Sequence, residues 1–182
     1  MRTVIYGGAC SLDGFIAGPN GAIDWLRFSP AVGEIMEQTW KATDTVLMGR
    51  KTWEVARQTG GASRGGDAPE VATYVFSRTL RQSDVPGATL VSENAGGFVE
   101  SLKRQKGKGI MVMGGGELAR SLFEADVIDE VGLNVHPVLL GSGVPGLLDA
   151  HRRVNLRLTE CRQLPKDCVF LRFTVKHSRR YS

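Results

Sequence analysis

Two short apolar segments, each followed at once by glycine, constrain the fold of this chain most. Residues 45–48 read Thr-Val-Leu-Met and precede Gly-Arg-Lys-Thr, while residues 110–113 read Ile-Met-Val-Met and precede three glycines. A short apolar run bounded by turn residues is typical of a strand buried on both faces of a sheet. Both segments therefore predict central strands whose ends turn into helices.

The segments between the apolar runs have the period of amphipathic helices. Pro30 opens the first of them, since a proline fits the first helical position. The buried face of that helix is predicted to carry Val32, Ile35, Met36 and Trp40. The predicted helices span residues 31–42, 51–58, 94–106 and a segment after 114–116, and the predicted strands span residues 4–9, 45–48, 73–76, 89–91 and 110–113. Such alternation indicates parallel βα units.

The last third of the chain changes to a β pattern. Apolar residues alternate at 131–135 and 154–158, and a strand-like run at 168–175 follows a turn at 165–167. We predict an α/β fold with a mainly parallel central sheet, antiparallel C-terminal strands and helices on both faces. The Gly- and Ser-rich stretch 59–69 is interpreted as a loop, so residues 1–182 are expected to form a single domain.

The composition is that of an ordinary globular protein, with 42% hydrophobic and 23% charged residues. No apolar run suits a signal peptide or a membrane span, so we expect a cytoplasmic protein without a membrane partner. The cysteines are predicted to be small buried residues and the histidines to be structural or exposed, without metal-ligand spacing. These residues are Cys10, Cys161, Cys168, His136, His151 and His177. No metal site is expected.

The net charge of +4 and the pI of about 9.1 could indicate a nucleic-acid partner. The basic cluster at 103–108 falls where a predicted helix ends, and cations there complement the helix dipole. The second cluster, at 177–180, is a short terminal segment. We therefore expect no nucleic-acid partner, and a basic nucleic-acid-binding module remains an alternative.

Three predicted strand ends carry residues suited to phosphate. Gly49-Arg50-Lys51-Thr52 offers cations and a hydroxyl at a helix start, Gly114-Gly115-Gly116 offers close backbone approach, and Ser77-Arg78 offers a hydroxyl and a guanidinium. Ligands of open α/β sheets bind at such strand ends. A dinucleotide fits better than a nucleoside triphosphate, because the chain has no GxxxxGK[ST] loop. The Rossmann-type fingerprint, a GxGxxG that ends a strand and opens a helix, is also missing.

The loop from Ser11 to Trp25 mixes turn residues with apolar ones, which suits a lid over a cofactor. Together with Val46–Glu54, Phe76-Ser77-Arg78 and Met113–Leu118, it resembles the dihydrofolate-reductase-like superfamily. Within that superfamily the chain is most similar to the reductase domain of the bifunctional deaminase-reductase of riboflavin biosynthesis and its small stand-alone relatives.

This resemblance implies a dihydrofolate-reductase-like fold, NADPH as the cofactor, a small-molecule substrate and a homodimer. By the resemblance, Ala9 and Ile16 face the nicotinamide, with Asn20 in the lid. The phosphates near the adenosine are assigned to Gly49, Arg50, Lys51 and Thr52, the 2′-phosphate to Ser77 and Arg78, and the pyrophosphate to Gly114, Gly115, Gly116 and Glu117.

The substrate side departs from the known patterns. Gly33 stands where dihydrofolate reductases carry a helix carboxylate, and Met113 stands where the riboflavin-pathway enzymes carry a Glu before the glycines. The candidate catalytic carboxylates are therefore Asp13 and Glu34. The prediction is an NADPH-dependent reductase of a heterocyclic or carbonyl substrate, such as 5-amino-6-(5-phosphoribosylamino)uracil. Dihydrofolate reductase and a nucleotide-binding protein without turnover are the alternatives.

Overall fold

The computed structural model describes residues 1–58, 71–146 and 153–177. Its strands are β1 (Val4–Ser11), β2 (Phe15–Ala17), β3 (Thr43–Gly49), β4 (Ala72–Phe76), β5 (Thr89–Val91), β6 (Gly109–Met113), β7 (Glu130–His136), β8 (Val144–Pro145), β9 (Asn155–Gln163) and β10 (Val169–Lys176). Its helices are α1 (Pro30–Lys41), α2 (Arg50–Gln58), α3 (Ala95–Arg104) and α4 (Gly116–Glu124), and a 3₁₀ turn spans Gln82–Asp84.

Eight of these strands form one sheet in the order β5-β4-β3-β6-β1-β7-β10-β9. All pairings from β5 to β7 are parallel, whereas β10 runs antiparallel to both β7 and β9. The remaining two described strands, β2 and β8, pair with each other. The predicted α/β fold with a mainly parallel sheet and antiparallel C-terminal strands is confirmed.

Local sequence signals determine where the helices begin. At α1, the Ser29 hydroxyl accepts a hydrogen bond from the Val32 N–H at 3.4 Å, and Pro30 occupies the first helical turn. At α3, the Asn94 side chain accepts from the Gly97 N–H at 3.1 Å. Each cap satisfies one backbone donor that the helix itself leaves free.

The helices cover both faces of the sheet. The side chains of α3 and α4 pack with Ile110 and Val112 of β6, which are fully buried. On the opposite face Trp53 of α2 packs with Met111 and Met113, and α1 packs on the β10 end of the sheet. Adjacent residues of a strand point to opposite faces, so this alternation in β6 separates the two layers.

Several local predictions need correction. Met36 is 46% exposed although it belongs to the predicted buried face of α1. Cys161 is exposed on the outer strand β9, whereas Cys10 and Cys168 are buried as predicted. The loop after β1 contains β2, whose partner β8 is far away in sequence. The predicted loop at 59–69 and His151 lie outside the described residues.

Lys103 is not a solvated cation at a helix end. Its ammonium is buried and donates to both Asp129 carboxylate oxygens, at 2.7 and 2.8 Å, and to the Val127 carbonyl. The residue therefore ties α3 to the segment before β7. None of the helices in the described ranges has the length and apolar character needed to cross a bilayer.

Candidate functional site

The strand order brings the predicted phosphate-binding segments together. At their carboxyl ends, Gly49 of β3 pairs with Phe76 of β4, and Met48 pairs with Met113 of β6. Met113 is in turn the partner of Gly7 on β1. The segments that follow β4, β3 and β6 are therefore neighbours along one edge, with the end of β1 beside them. Such an edge is where open α/β sheets bind ligands.

The glycines after β6 form a tight cradle against the start of α2. Gly114 has φ +68°, and a Cβ built there would lie 2.3 Å from the Thr52 hydroxyl oxygen. Gly115 has φ +32° and is the N-cap of α4, with no side chain to bond the first N–H groups. Free N–H groups at a helix start favour an anion, so this cradle suits a phosphate group.

The cationic side chains at this edge differ in whether they already form an ion pair. Arg50 forms an ion pair with Glu54 at 3.0 Å, and both side chains are nearly half exposed. Such a surface pair contributes little stability, so a phosphate can replace it at small cost. Arg78 is exposed and forms no ion pair among the described residues. Lys51 is also exposed.

Ser77 shapes the turn that presents Arg78. Its hydroxyl oxygen accepts hydrogen bonds from the Thr79 and Leu80 N–H groups, both at 3.2 Å. The Ser77 N–H bonds the Val91 carbonyl of the neighbouring strand. The hydroxyl thus fixes the loop conformation, and Arg78 is the side chain left to meet a ligand.

Beside this edge, the face of the sheet that carries α1 and α2 is incompletely covered, and this part of the layer is called the cleft below. Successive helical residues are about 100° apart, so Met36 projects between Val32 and Trp40, which pack on either side. Met36 nevertheless remains 46% exposed, and Ala9 and Met113 on the strands are only half-buried. The middle of this layer is therefore open, with apolar walls.

Asp13 fastens the loop after β1. Its carboxylate accepts hydrogen bonds from the Ser11 hydroxyl at 2.6 Å and from the N–H groups of Leu140 and Gly141 at 3.2 and 2.8 Å. The Ser11 hydroxyl and these N–H groups lower the pKa of Asp13. An ionised carboxylate with these partners is a poor proton donor, so the geometry favours a structural part for Asp13.

The two residues that the resemblance assigns to a lid are partly open to solvent. Ile16 lies on β2 and is half-buried, and Asn20 is exposed in a turn closed by the Gly21 N–H and the Gly18 carbonyl at 3.0 Å. Pairing of β2 with β8 holds this loop against the segment after β7. The fold therefore places Ile16 and Asn20 on one loop, which is tethered at β2.

Glu34 is not brought to the cleft. It follows Val32 by two residues, which is about 200° around α1, and its side chain is exposed. Gly33 is exposed as well, and a Cβ there would meet no atom within 4 Å. Glu117, on the first turn of α4, is exposed next to the glycine cradle.

Sequence reasoning missed Asn134 and His136 as members of the cleft. The alternation in β7 gave these two positions no role beyond a structural or exposed histidine, but their face of the sheet is covered by α1 and the segment before it. His136 is 2% exposed, and Asn134 pairs in register with Ala9. The signal that could have identified them is the pair of polar residues, Asn134 and His136, on a strand that lies beside Ala9.

A second hollow lies at the opposite edge, beyond the amino ends of β3 and β4. Its charged residues Arg2 and Asp44 are paired with each other, and Arg2 also donates to the Thr45 hydroxyl at 2.6 Å. Because these two charges satisfy each other, neither is free to bind an ionic ligand.

Comparison with known proteins identifies the family. The sequence profile of the RibD C-terminal domain matches residues 2–170. The chain belongs to the RibD C-terminal domain family. Its relative YyaP of Bacillus subtilis, an uncharacterized protein, is 33% identical over 179 residues and is matched over 93% of each chain. The suspected relationship to riboflavin-type reductase domains is thereby confirmed.

Solved structures share the fold. The diaminohydroxyphosphoribosylaminopyrimidine deaminase/5-amino-6-(5-phosphoribosylamino)uracil reductase of Thermotoga maritima has a TM-score of 0.73 at 14% identity, over 96% of this chain and 57% of that chain. Dihydrofolate reductase from Enterococcus faecalis, in complex with NADP(H), has a TM-score of 0.68 at 12% identity, over 96% and 97% of the two chains. This RibD-type chain therefore has the dihydrofolate-reductase-like fold of a reductase domain.

Proposed function

We propose that this protein is an NADPH-dependent reductase that acts on a flat heterocyclic or carbonyl substrate, of the 5-amino-6-(5-phosphoribosylamino)uracil reductase type. The observation that carries the proposal is the edge where the ends of β4, β3, β6 and β1 adjoin, with a side-chain-free cradle at Gly114 and Gly115. One extended ligand with several phosphates fits this arrangement.

The residues present fit NADPH at each part of that edge. The pyrophosphate would meet the backbone from Gly114 to Glu117, beside Thr52. The 2′-phosphate would meet Arg78, with Arg50 released from Glu54. Gly49 and Lys51 would contribute to the phosphate side nearer the adenosine. The similarly folded Enterococcus enzyme was solved in complex with NADP(H), which supports a cofactor of this class.

When bound, NADPH supplies the hydride for the reduction. The chain contributes orientation and the exclusion of water. Ala9 would face the nicotinamide, while Ile16 and Asn20 close over it on the loop that Asp13 fastens. The apolar walls at Met36 and Met113 suit a planar ring.

The test combines cofactor binding with turnover. NADPH and NADH are titrated by fluorescence, and NADPH oxidation is followed with pteridines, aminopyrimidines and quinones in separate reactions. We expect tight NADPH binding and oxidation by at least one class. Tight binding without oxidation by any class would favour a nucleotide-binding protein without turnover. A steep fall of DNA affinity with salt, without NADPH binding, would favour the nucleic-acid module.

We further propose a cytoplasmic homodimer built from single-domain chains. The outer strand β9 supports a pairing surface, because Leu156 and Leu158 are 38% and 53% exposed. Sedimentation velocity on wild type and Leu158→Glu tests this assembly. We expect a dimer that the substitution weakens, and a monomeric wild type would contradict it.

A further inference from the structure

The side chain of Asn134 leaves a polar atom unexplained. Its Oδ1 is buried and has no hydrogen-bond partner among the described residues, while its Nδ2 lies 3.1 Å from Nε2 of His136. Buried polar groups are nearly always bonded, so an orphan atom calls for a partner that the chain itself does not supply.

The ring of His136 fixes which end of the amide faces it. The backbone N–H of Arg27 donates to Nδ1 of His136 at 3.1 Å, so this nitrogen carries a lone pair. The Cys168 thiol lies 3.6 Å from the same nitrogen. Burial, followed by the charge of Arg27, lowers the pKa of His136, which keeps the ring neutral. The single ring proton is therefore on Nε2.

A protonated Nε2 needs an acceptor, and the amide nitrogen is a donor. Amide oxygen and nitrogen differ only by a half turn of the side chain, and the hydrogen-bond network decides between them. The Asn134 oxygen therefore accepts from His136, and the NH₂ group occupies the position without a protein partner. The two N–H donors of the Asn134 amide are therefore the groups left without a hydrogen-bond partner.

These donors lie at the inner end of the cleft. Asn134 pairs in register with Ala9 on β1 and with Phe170 on β10, and paired residues of adjacent strands share a face. Phe170 packs under α1 with Val32 and Ile35, which closes that end of the layer. Trp25 meets the His136 ring edge-on at 5.3 Å and covers the pair from the lid side.

We propose that Asn134 is a specificity-determining residue whose NH₂ group donates to a carbonyl oxygen of the ligand bound over Ala9, and that His136 is the positioning residue that orients the amide. The inference rests on the proposed function of this cleft. A neutral amide NH₂ selects an acceptor and rejects a cation. A carboxamide on the cofactor and a ring carbonyl on the substrate are the two sources of such an oxygen.

The first experiment uses the wild-type chain and needs no variant. Side-chain amide signals of Asn134 and ring nitrogens of His136 are recorded by ¹⁵N NMR in the free protein, with NADPH, and with uracil added to the NADP⁺ complex. We expect protonation of His136 at Nε2 and a shift of the Asn134 NH₂ signals with one of the probes. A shift with NADPH alone assigns the cofactor, and a shift with uracil assigns the substrate. Signals that move with neither probe would overturn the proposal.

The second experiment replaces the donor. Asn134→Asp keeps an acceptor for His136 but puts an oxygen where the NH₂ group lies, and we expect at least tenfold weaker binding of the probe that shifted the signals. Asn134→Ser, which retains a hydroxyl donor, should lose less and serves if the Asp variant does not fold. Asn155→Asp at the exposed start of β9 introduces the same charge as a control and should bind like wild type.

The outcomes separate this inference from the proposed function. If wild type binds NADPH but Asn134→Asp binds both probes equally well, the role of Asn134 is refuted and the reductase proposal stands. If wild type binds no NADPH, both fail together.

Discussion

Gly115→Ala tests whether the turn after β6 serves a ligand or only the fold. Gly115 has φ +32°, and a Cβ there would meet only the Thr52 hydroxyl oxygen, at an ordinary 3.7 Å. The substitution therefore adds backbone strain of about 1–2 kcal/mol without a clash. For a chain of this size we expect the melting temperature to fall by about 2–8 °C. The added methyl group would also occupy the space in which the phosphate meets the backbone N–H groups. Loss of one such charge-assisted bond, worth about 1.5–3 kcal/mol, should weaken NADPH binding about 10- to 150-fold.

Gly87→Ala is the matched control. Gly87 has φ +77° with open space around it and precedes β5, away from the glycine cradle. It should lower the melting temperature by a similar amount and leave NADPH affinity unchanged. Gly114→Ala should destabilise more, because its Cβ would lie 2.3 Å from the Thr52 hydroxyl. Equal NADPH affinity in wild type and Gly115→Ala, measured by fluorescence titration, would refute the phosphate cradle.

Three further predictions concern single side chains. Arg78→Ala should weaken NADPH about tenfold or more and leave NADH binding unchanged, since one charge-assisted bond to the 2′-phosphate is lost; equal losses for both cofactors would remove that role. Dihydrofolate should be reduced only slowly by NADPH, and Glu34→Gln should not change that rate; fast turnover lost in this variant would make Glu34 catalytic. Burial holds the pKa of His136 below its ordinary 6.5, so the unfolded chain binds the proton more tightly. Unfolding free energy should therefore decrease as pH falls below about 6.5, and urea titrations of His136→Gln should show a flatter profile there.

Most of the sheet and all four described helices were predictable from the sequence. The runs at 45–48 and 110–113 became the centres of β3 and β6, and the helix over 31–42 became α1. Their signals are local: continuous apolar residues in the strands and a proline at the first turn of the helix. The grouping of strand ends followed from the general rule on parallel sheets rather than from any single motif.

The errors arise where distant segments decide the outcome. β2 has three residues and β8 has two, so both are too short to show an alternation of apolar and polar residues. Each strand forms because it pairs with the other. Met36 has the right spacing for burial but lies over a gap between two packed clusters. Cys161 falls on the outermost strand, a position that only the strand order reveals.

The positions of the two candidate catalytic carboxylates limit the class of substrate that the cleft can reduce. Asp13 is committed to the N–H groups of Leu140 and Gly141, and Glu34 projects away from the sheet. A positioned general acid contributes about 10²–10⁴ in rate. Neither carboxylate can act as an acid in the cleft. The cleft therefore suits substrates that need no acid from the protein, because their reduced form takes its proton from water after the hydride transfer. Conjugated carbonyl compounds meet that condition better than the C=N bond of dihydrofolate. Where the oxygen bound by Asn134 is that of the substrate, its NH₂ donor would stabilise the oxygen on which negative charge accumulates.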